Sequence, residues 1–244
     1  MEKRERFAEL DMWRGIAIIG MIIYHGVFMI DYVGYASITY HQGAWLVGAR
    51  LIQLSFLLLV GISLHLSFQK SRRSKATPFH FLLRQFKRGI LVFSCGLLIT
   101  LATGIFIPED FVRFGILHFI GISIILLSFV ASRPWAALVI SFLVFVCSDL
   151  VRQTVVTSAW LIPFGFRFPF QSVDYFPIFP WLAVPAFGIF LGALLYPDYQ
   201  RRWNTLKLED SANPVMFLGK HSLFVYLLHV PVLLGLIALW KHLF

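Results

Sequence analysis

The sequence predicts an all-α polytopic membrane protein of about seven transmembrane helices, and three observations carry that prediction. Of its 244 residues, 59% are hydrophobic and only 14% are charged, against about 25% charged in a soluble domain. Such a chain lacks the polar surface to face water. Apolar runs of spanning length recur at 12–31, 44–68, 89–107, 111–130, 134–151, 178–196 and 221–241, and about 20 such residues cross a bilayer as a helix. The formal charge of +9 is unevenly spread. Lys3, Arg4, Arg6 and Arg14 open the chain, and Lys70, Arg72, Arg73, Lys75, Arg84, Lys87 and Arg88 fill the second link. Arg133 lies in the fourth link, and Arg201, Arg202, Lys207 and Lys220 lie in the sixth. All of these fall on one side of a seven-span chain, so the positive-inside rule puts the N-terminus in the cytoplasm and the C-terminus outside. Topology accounts for the basic excess without nucleic acid. No linker or change of composition divides the chain, so residues 1–244 read as one domain.

The first span, LDMWRGIAIIGMIIYHGVFMIDY over 10–32, is too long for a signal-peptide core and has no cleavage site after it, so it is expected to stay as a helix. Ionisable groups inside a membrane are costly and usually face a bundle interior or a wet cavity. Arg14 and His25 are eleven residues apart and share a helical face within about 20°. Asp11 lies about 40° from that face, and His25 sits roughly 20 Å beyond it along the axis. One stripe therefore runs from a cytoplasmic Arg to a deep His, with Asp31 at the outer end.

The second span opens with HQGAWLVGAR, which places His41 at its outer mouth and Arg50 about two turns in. Thr77 followed by Pro78 reads as an N-cap and first-turn proline. They start an amphipathic lead-in, FHFLLRQFKR, suited either to anionic lipid or to phosphate. The fourth span carries His118 in FGILHFIGI, at a depth where it could meet His25. Gly115 and Gly121 flank it and permit close helix approach. Asp149 sits near the outer end of the fifth span. The long outer link, 152–177, is rich in aromatics and in proline, and is expected either to lie in the interface or to fold over a pocket. It carries Asp174, with Trp181 just beyond. NPVMFLGKHSL over 213–223 reads as a short surface helix leading into the last span. His65 and His229 are expected in the inner half. Cys95 and Cys147 are expected as small buried residues without a disulfide.

His25, Asp31, His41, Arg50, His118, Asp149 and Asp174 together suggest a polar cavity opening outward. No nucleophile elbow, HExxH, CxxC or P-loop is present, and no metal site is expected. Imidazole beside carboxylate suits general base work or an acyl-imidazole route. Intramembrane histidines also suit haem ligation or proton-coupled transport. Spacing leaves these open.

LDMWRGIAIIGMIIYH resembles the opening of the heparan-alpha-glucosaminide N-acetyltransferase catalytic-domain family and its small prokaryotic members. His41 before Trp45, then LLLVGIS, FGILHFIGI, DYFPIFPW and HSLFVYLLH, are similar to its further signatures over nearly the whole chain. The resemblance implies a multi-span acyltransferase of a prokaryotic inner membrane. It would take acetyl from cytoplasmic acetyl-CoA to an acceptor such as an amino sugar or glycan on the outer side. His41 matches the family's proposed catalytic position best, and His25 stands where the eukaryotic enzyme has Asn. The expected roles are catalysis by His41, His25 and Asp31, and CoA binding by Arg14, Arg84, Lys87 and Arg88. Arg50, His118, Asp149, Asp174 and Trp181 are expected to line the acceptor cavity. The expected partners are acetyl-CoA, a sugar or glycan acceptor and membrane lipids, with a homodimer admitted. A transporter or flippase using the same cavity is the alternative, distinguished by its indifference to CoA.

Overall fold

The computed structural model describes residues 7–37, 39, 42–202 and 213–243. His41 and Lys207 lie outside the described residues, as do Lys3, Arg4 and Arg6. The described chain is helical, in the order α1 (Ala8–Tyr32), α2 (Gly43–Arg73), α3 (Pro78–Phe106), α4 (Ile116–Ser128), α5 (Pro134–Gln153), α6 (Ile178–Trp181), α7 (Ala183–Leu195), α8 (Pro214–Lys220) and α9 (Ser222–Leu243). Six segments are long and apolar enough to cross a membrane: α1, α2, α3, α5, α6 with α7, and α9. Their outward residues, such as Leu98, Leu101 and Ile105 on α3 or Phe142 and Phe145 on α5, are exposed hydrocarbon. This is an integral membrane protein.

The fourth predicted span is shorter than its apolar run. At about 1.5 Å per residue, the 13 residues of α4 reach roughly 20 Å, less than the ~30 Å hydrocarbon core. Residues before Ile116 are held out of the helix by pairing with the outer link: Phe114 bridges Tyr175, and Phe176 N–H donates to the Phe114 carbonyl at 2.9 Å. The predicted lead-in and third span instead form one continuous helix, α3. Thr77 caps it, accepting from His80 N–H at 3.3 Å, and Pro78 occupies the first turn. The two cysteines are free, but Cys95 is half-buried and Cys147 exposed, rather than both being buried.

The chain divides into two compact units, Met1–Phe56 with Asn204–Phe244, and Leu57–Trp203; the boundary falls inside α2. In the first unit α1 packs on α8 and α9. Gly15 lies against the Val215 carbonyl and Gly219 against the Asp11 carbonyl. No side chain fits at either glycine, so α8 is seated on α1 backbone to backbone, with Asn213 capping it through Val215 N–H at 2.9 Å. In the second unit α3 packs on α4, and α5 on α6 and α7. Ser141 Oγ ties α5 to α7 by donating to the Ala183 carbonyl at 2.7 Å.

Candidate functional site

The α1 stripe is present and directed inward. Asp11, Gly15, Ile18, Met21 and Met29 are buried along it. Arg14 does not stand alone at its start, because its Nη1 donates to Asp11 Oδ1 at 2.7 Å. Asp11 is itself buried, and a charge there is tolerable because it is paired one turn away.

His25 lies between these anchors and the outer end. Its Nδ1 is 2.9 Å from the Met21 carbonyl. A carbonyl only accepts, so Nδ1 carries the proton and, in the neutral ring, Nε2 keeps the lone pair. The backbone, rather than a carboxylate, orients this imidazole. Asp31 is six residues on, about 9 Å along the helix and 120° round it, so it does not reach the ring. The ring that does is His229 on α9, with centroids 4.7 Å apart at 76°. His229 was expected in the inner half; the contact puts it level with His25. It is only 6% exposed. Its Nδ1 donates to the Tyr226 carbonyl, and its Nε2 has no hydrogen-bond partner among the described residues. Across α1 from this pair, Gly20 meets Ile52 of α2. On that helix Arg50 is exposed, with Nη1 donating to Gln53 Oε1 at 2.9 Å.

In the second unit His118 and Asp174 form one arrangement around the start of α4. His118 Nδ1 accepts Gly115 N–H at 3.2 Å. Its neutral ring therefore holds its proton on Nε2, 3.4 Å from Thr100 Oγ1, which in turn donates to the Val112 carbonyl at 2.6 Å. Phe93 and Phe114 enclose the ring, and Gly96 leaves room for it against α3. His118 is 2% exposed, with both nitrogens committed inside its own unit. Asp174 Oδ2 accepts Ile116 N–H, the first of α4, at 2.9 Å. That places a carboxylate at the positive end of the helix. Loss of hydration nevertheless pushes its carboxyl up to about 6, against the lowering effect of the Ile116 bond. Burial likewise pushes the Tyr175 phenol up to about 12; its hydroxyl donates to the Ile162 carbonyl at 2.6 Å. Trp181 packs on Phe176 at 4.7 Å. The outer link thus folds on itself and onto the start of α4. Asp149 stays apart: it is exposed on α5, 3.5 Å from Arg152.

The cations of α3 are on its exposed side. Arg84 donates from Nη2 to the Ser67 carbonyl at 3.3 Å and lies over the Phe81 ring. Lys87 and Arg88, one turn on, are exposed. His65 is a buried tie between helices, with Nδ1 on the Ala131 carbonyl at 2.9 Å and Nε2 facing Gln69 Nε2 at 2.6 Å.

Of the imidazoles inside the membrane, His118 and His65 have both nitrogens engaged, whereas His25 and His229 each keep one nitrogen unengaged among the described residues. A basic nitrogen with its other side fixed by backbone can take a proton or attack a carbonyl carbon. His229 was missing from the expected site. Its only signal was an imidazole inside the HSLFVYLLH run, and spacing along one helix does not say which helix it meets.

No curated protein and no solved structure matches the chain. Residues 6–231 match the family described as heparan-alpha-glucosaminide N-acetyltransferase, catalytic. The match runs through α1, His25, His118, Asp174 and His229 alike. With that extent and a polytopic helical fold, the chain belongs to the heparan-alpha-glucosaminide N-acetyltransferase catalytic-domain family of membrane acyltransferases.

Proposed function

We propose that the protein transfers acetyl from cytoplasmic acetyl-CoA to an amino sugar or glycan acceptor on the outer side of a prokaryotic inner membrane. The observation that carries this is the state of His25. Its Nδ1 proton is held by the Met21 carbonyl, and its bare Nε2 stands inside a membrane helix. The acceptor nitrogen or oxygen attacks the thioester carbon as the new C–N or C–O bond forms. The C–S bond then breaks, CoA leaves as thiolate, and the acceptor's proton passes through His25 Nε2 to that thiolate. The same lone pair could attack first and carry the acetyl group as an acyl-imidazole, which acid quenching would trap. His41 is the second candidate base, on the strength of the family resemblance.

The donor's phosphates are proposed to meet either Arg14 in the first unit or Arg84, Lys87 and Arg88 in the second, since guanidinium suits bidentate phosphate contact. The concentration of Arg72, Arg73, Lys75 and the α3 cations around one link supports a cytoplasmic N-terminus. For the acceptor two alternative sets are proposed, Asp31 with Arg50 in the first unit, or Asp174 with Trp181 in the second. The family match, running across both units, supports one functional domain over residues 1–244. The test is transfer of labelled acetyl from acetyl-CoA to glucosamine by purified protein in vesicles. Transfer should occur in the wild type and fall in His25→Ala and His41→Ala. Full activity in both variants overturns the mechanism, and substrate flux indifferent to CoA favours a transporter.

A further inference from the structure

An ammonium acceptor must shed two protons to become an amide: one to free the lone pair that attacks, and one as the C–N bond forms. One imidazole receives one of them. The structure offers a second. His229 faces His25 ring to ring at 4.7 Å, in the same unit, on a helix packed against α1. Both rings have Nδ1 tied to a carbonyl one helical turn back, Met21 for His25 and Tyr226 for His229. Both therefore keep the Nε2 lone pair. The His229 Nε2 is buried and has no hydrogen-bond partner among the described residues, so its lone pair is not committed to the fold. The titratable groups in ring contact with the pair are Tyr24 beside His25 and Tyr226 beside His229. Among the described residues no carboxylate or cationic side chain makes a hydrogen bond or ion pair with either ring.

We propose that His229 is a second substrate-contacting base, which takes the first proton from an ammonium acceptor while His25 takes the proton released in acyl transfer. This rests on the acyl-transfer reading. For R–NH3+ and acetyl-CoA the products are the N-acetyl amine, CoA thiol and one proton. His229 Nε2 accepts that proton and returns it to bulk water. His25 Nε2 accepts the other and returns it to the departing thiolate, so both rings end as they began. An acceptor that reaches the site uncharged, water included, needs only the second step.

The test compares two acceptors in one protein. Labelled acetyl-CoA is turned over with glucosamine and, separately, by hydrolysis, in wild type, His229→Phe and His229→Gln. Phe fills the ring's space, and Gln offers an acceptor oxygen that is not a base. At neutral pH both variants should lose about 100-fold in transfer to glucosamine, the lower end of a base's contribution, and clearly less in hydrolysis. Raising the assay to about pH 9, where the sugar amine is already deprotonated, should restore most of the transfer. Equal losses with both acceptors, or no alkaline rescue, mean that His229 only packs against His25 and overturn the proposal. Unchanged glucosamine transfer in a folded variant overturns it as well. A wild type that moves acetyl to neither acceptor refutes the acyl-transfer reading instead, and is recognised before any variant is compared.

Discussion

Replacing Asp174 with Asn changes one proton site without changing the shape of the side chain, so its effect can be worked from the structure. In the folded protein burial raises this carboxyl from its usual 3.8 to about 6. The unfolded chain therefore ionises first as pH rises through 4, while the folded chain keeps the proton until about 6. Stability from this group is complete below pH 4, falls between 4 and 6, and is flat above. At 1.36 kcal/mol per pH unit, the full loss is about 3 kcal/mol. Asn carries no charge to desolvate and can still present an oxygen to Ile116 N–H. Asp174→Asn should thus be more stable than wild type at pH 8 by up to about 3 kcal/mol, and the difference should vanish near pH 4. Thermal unfolding in detergent, followed at several pH values, measures it. A variant less stable than wild type at pH 8, or one with the same pH dependence, refutes the reasoning. If the variant is more stable but transfers acetyl poorly, Asp174 is retained at a cost in stability because it serves the acceptor.

Three further outcomes are expected. His118→Leu leaves Gly115 N–H without its acceptor and should lower stability by about 1–3 kcal/mol. Acetyl transfer per folded molecule should change little, so a selective loss of turnover would restore His118 to the acceptor site. Gly15→Val places methyl groups against the Val215 carbonyl and should unseat α8 from α1. This would show as loss of monodisperse protein on size exclusion; normal yield and melting would contradict the packing. Thr77→Ala removes the α3 cap and should cost about 1 kcal/mol, measured as a lowered melting temperature with full activity; an unchanged melting temperature would argue against the cap.

The sequence made most of the helices legible because lipid imposes a one-dimensional rule: a long apolar run must satisfy its own backbone, and helix is the local way to do so. Caps are equally local, and Thr77–Pro78 and Asn213–Pro214 mark their helix starts in the chain itself. The start of α4 escaped that reading because it depends on Asp174, 58 residues away, and on the bridge from Phe114 to Tyr175. An uninterrupted apolar run gives no sign of either. The same limit explains the imidazoles. Helical arithmetic placed His25 on the buried face of α1. It could not distinguish an imidazole whose nitrogens are spent on its own fold, as in His118, from one left basic, as in His229. That distinction lies in partners brought from other helices.

Single-turnover release of CoA from labelled acetyl-CoA, by wild type and by His25→Ala, tests the central claim most directly. The wild type is expected to release CoA with acetyl appearing on glucosamine. His25→Ala is expected to bind the donor equally well but release CoA at least about 100-fold more slowly, as removal of a general base requires. Release at the wild-type rate in His25→Ala, with the donor bound and acetyl transferred, would contradict the account.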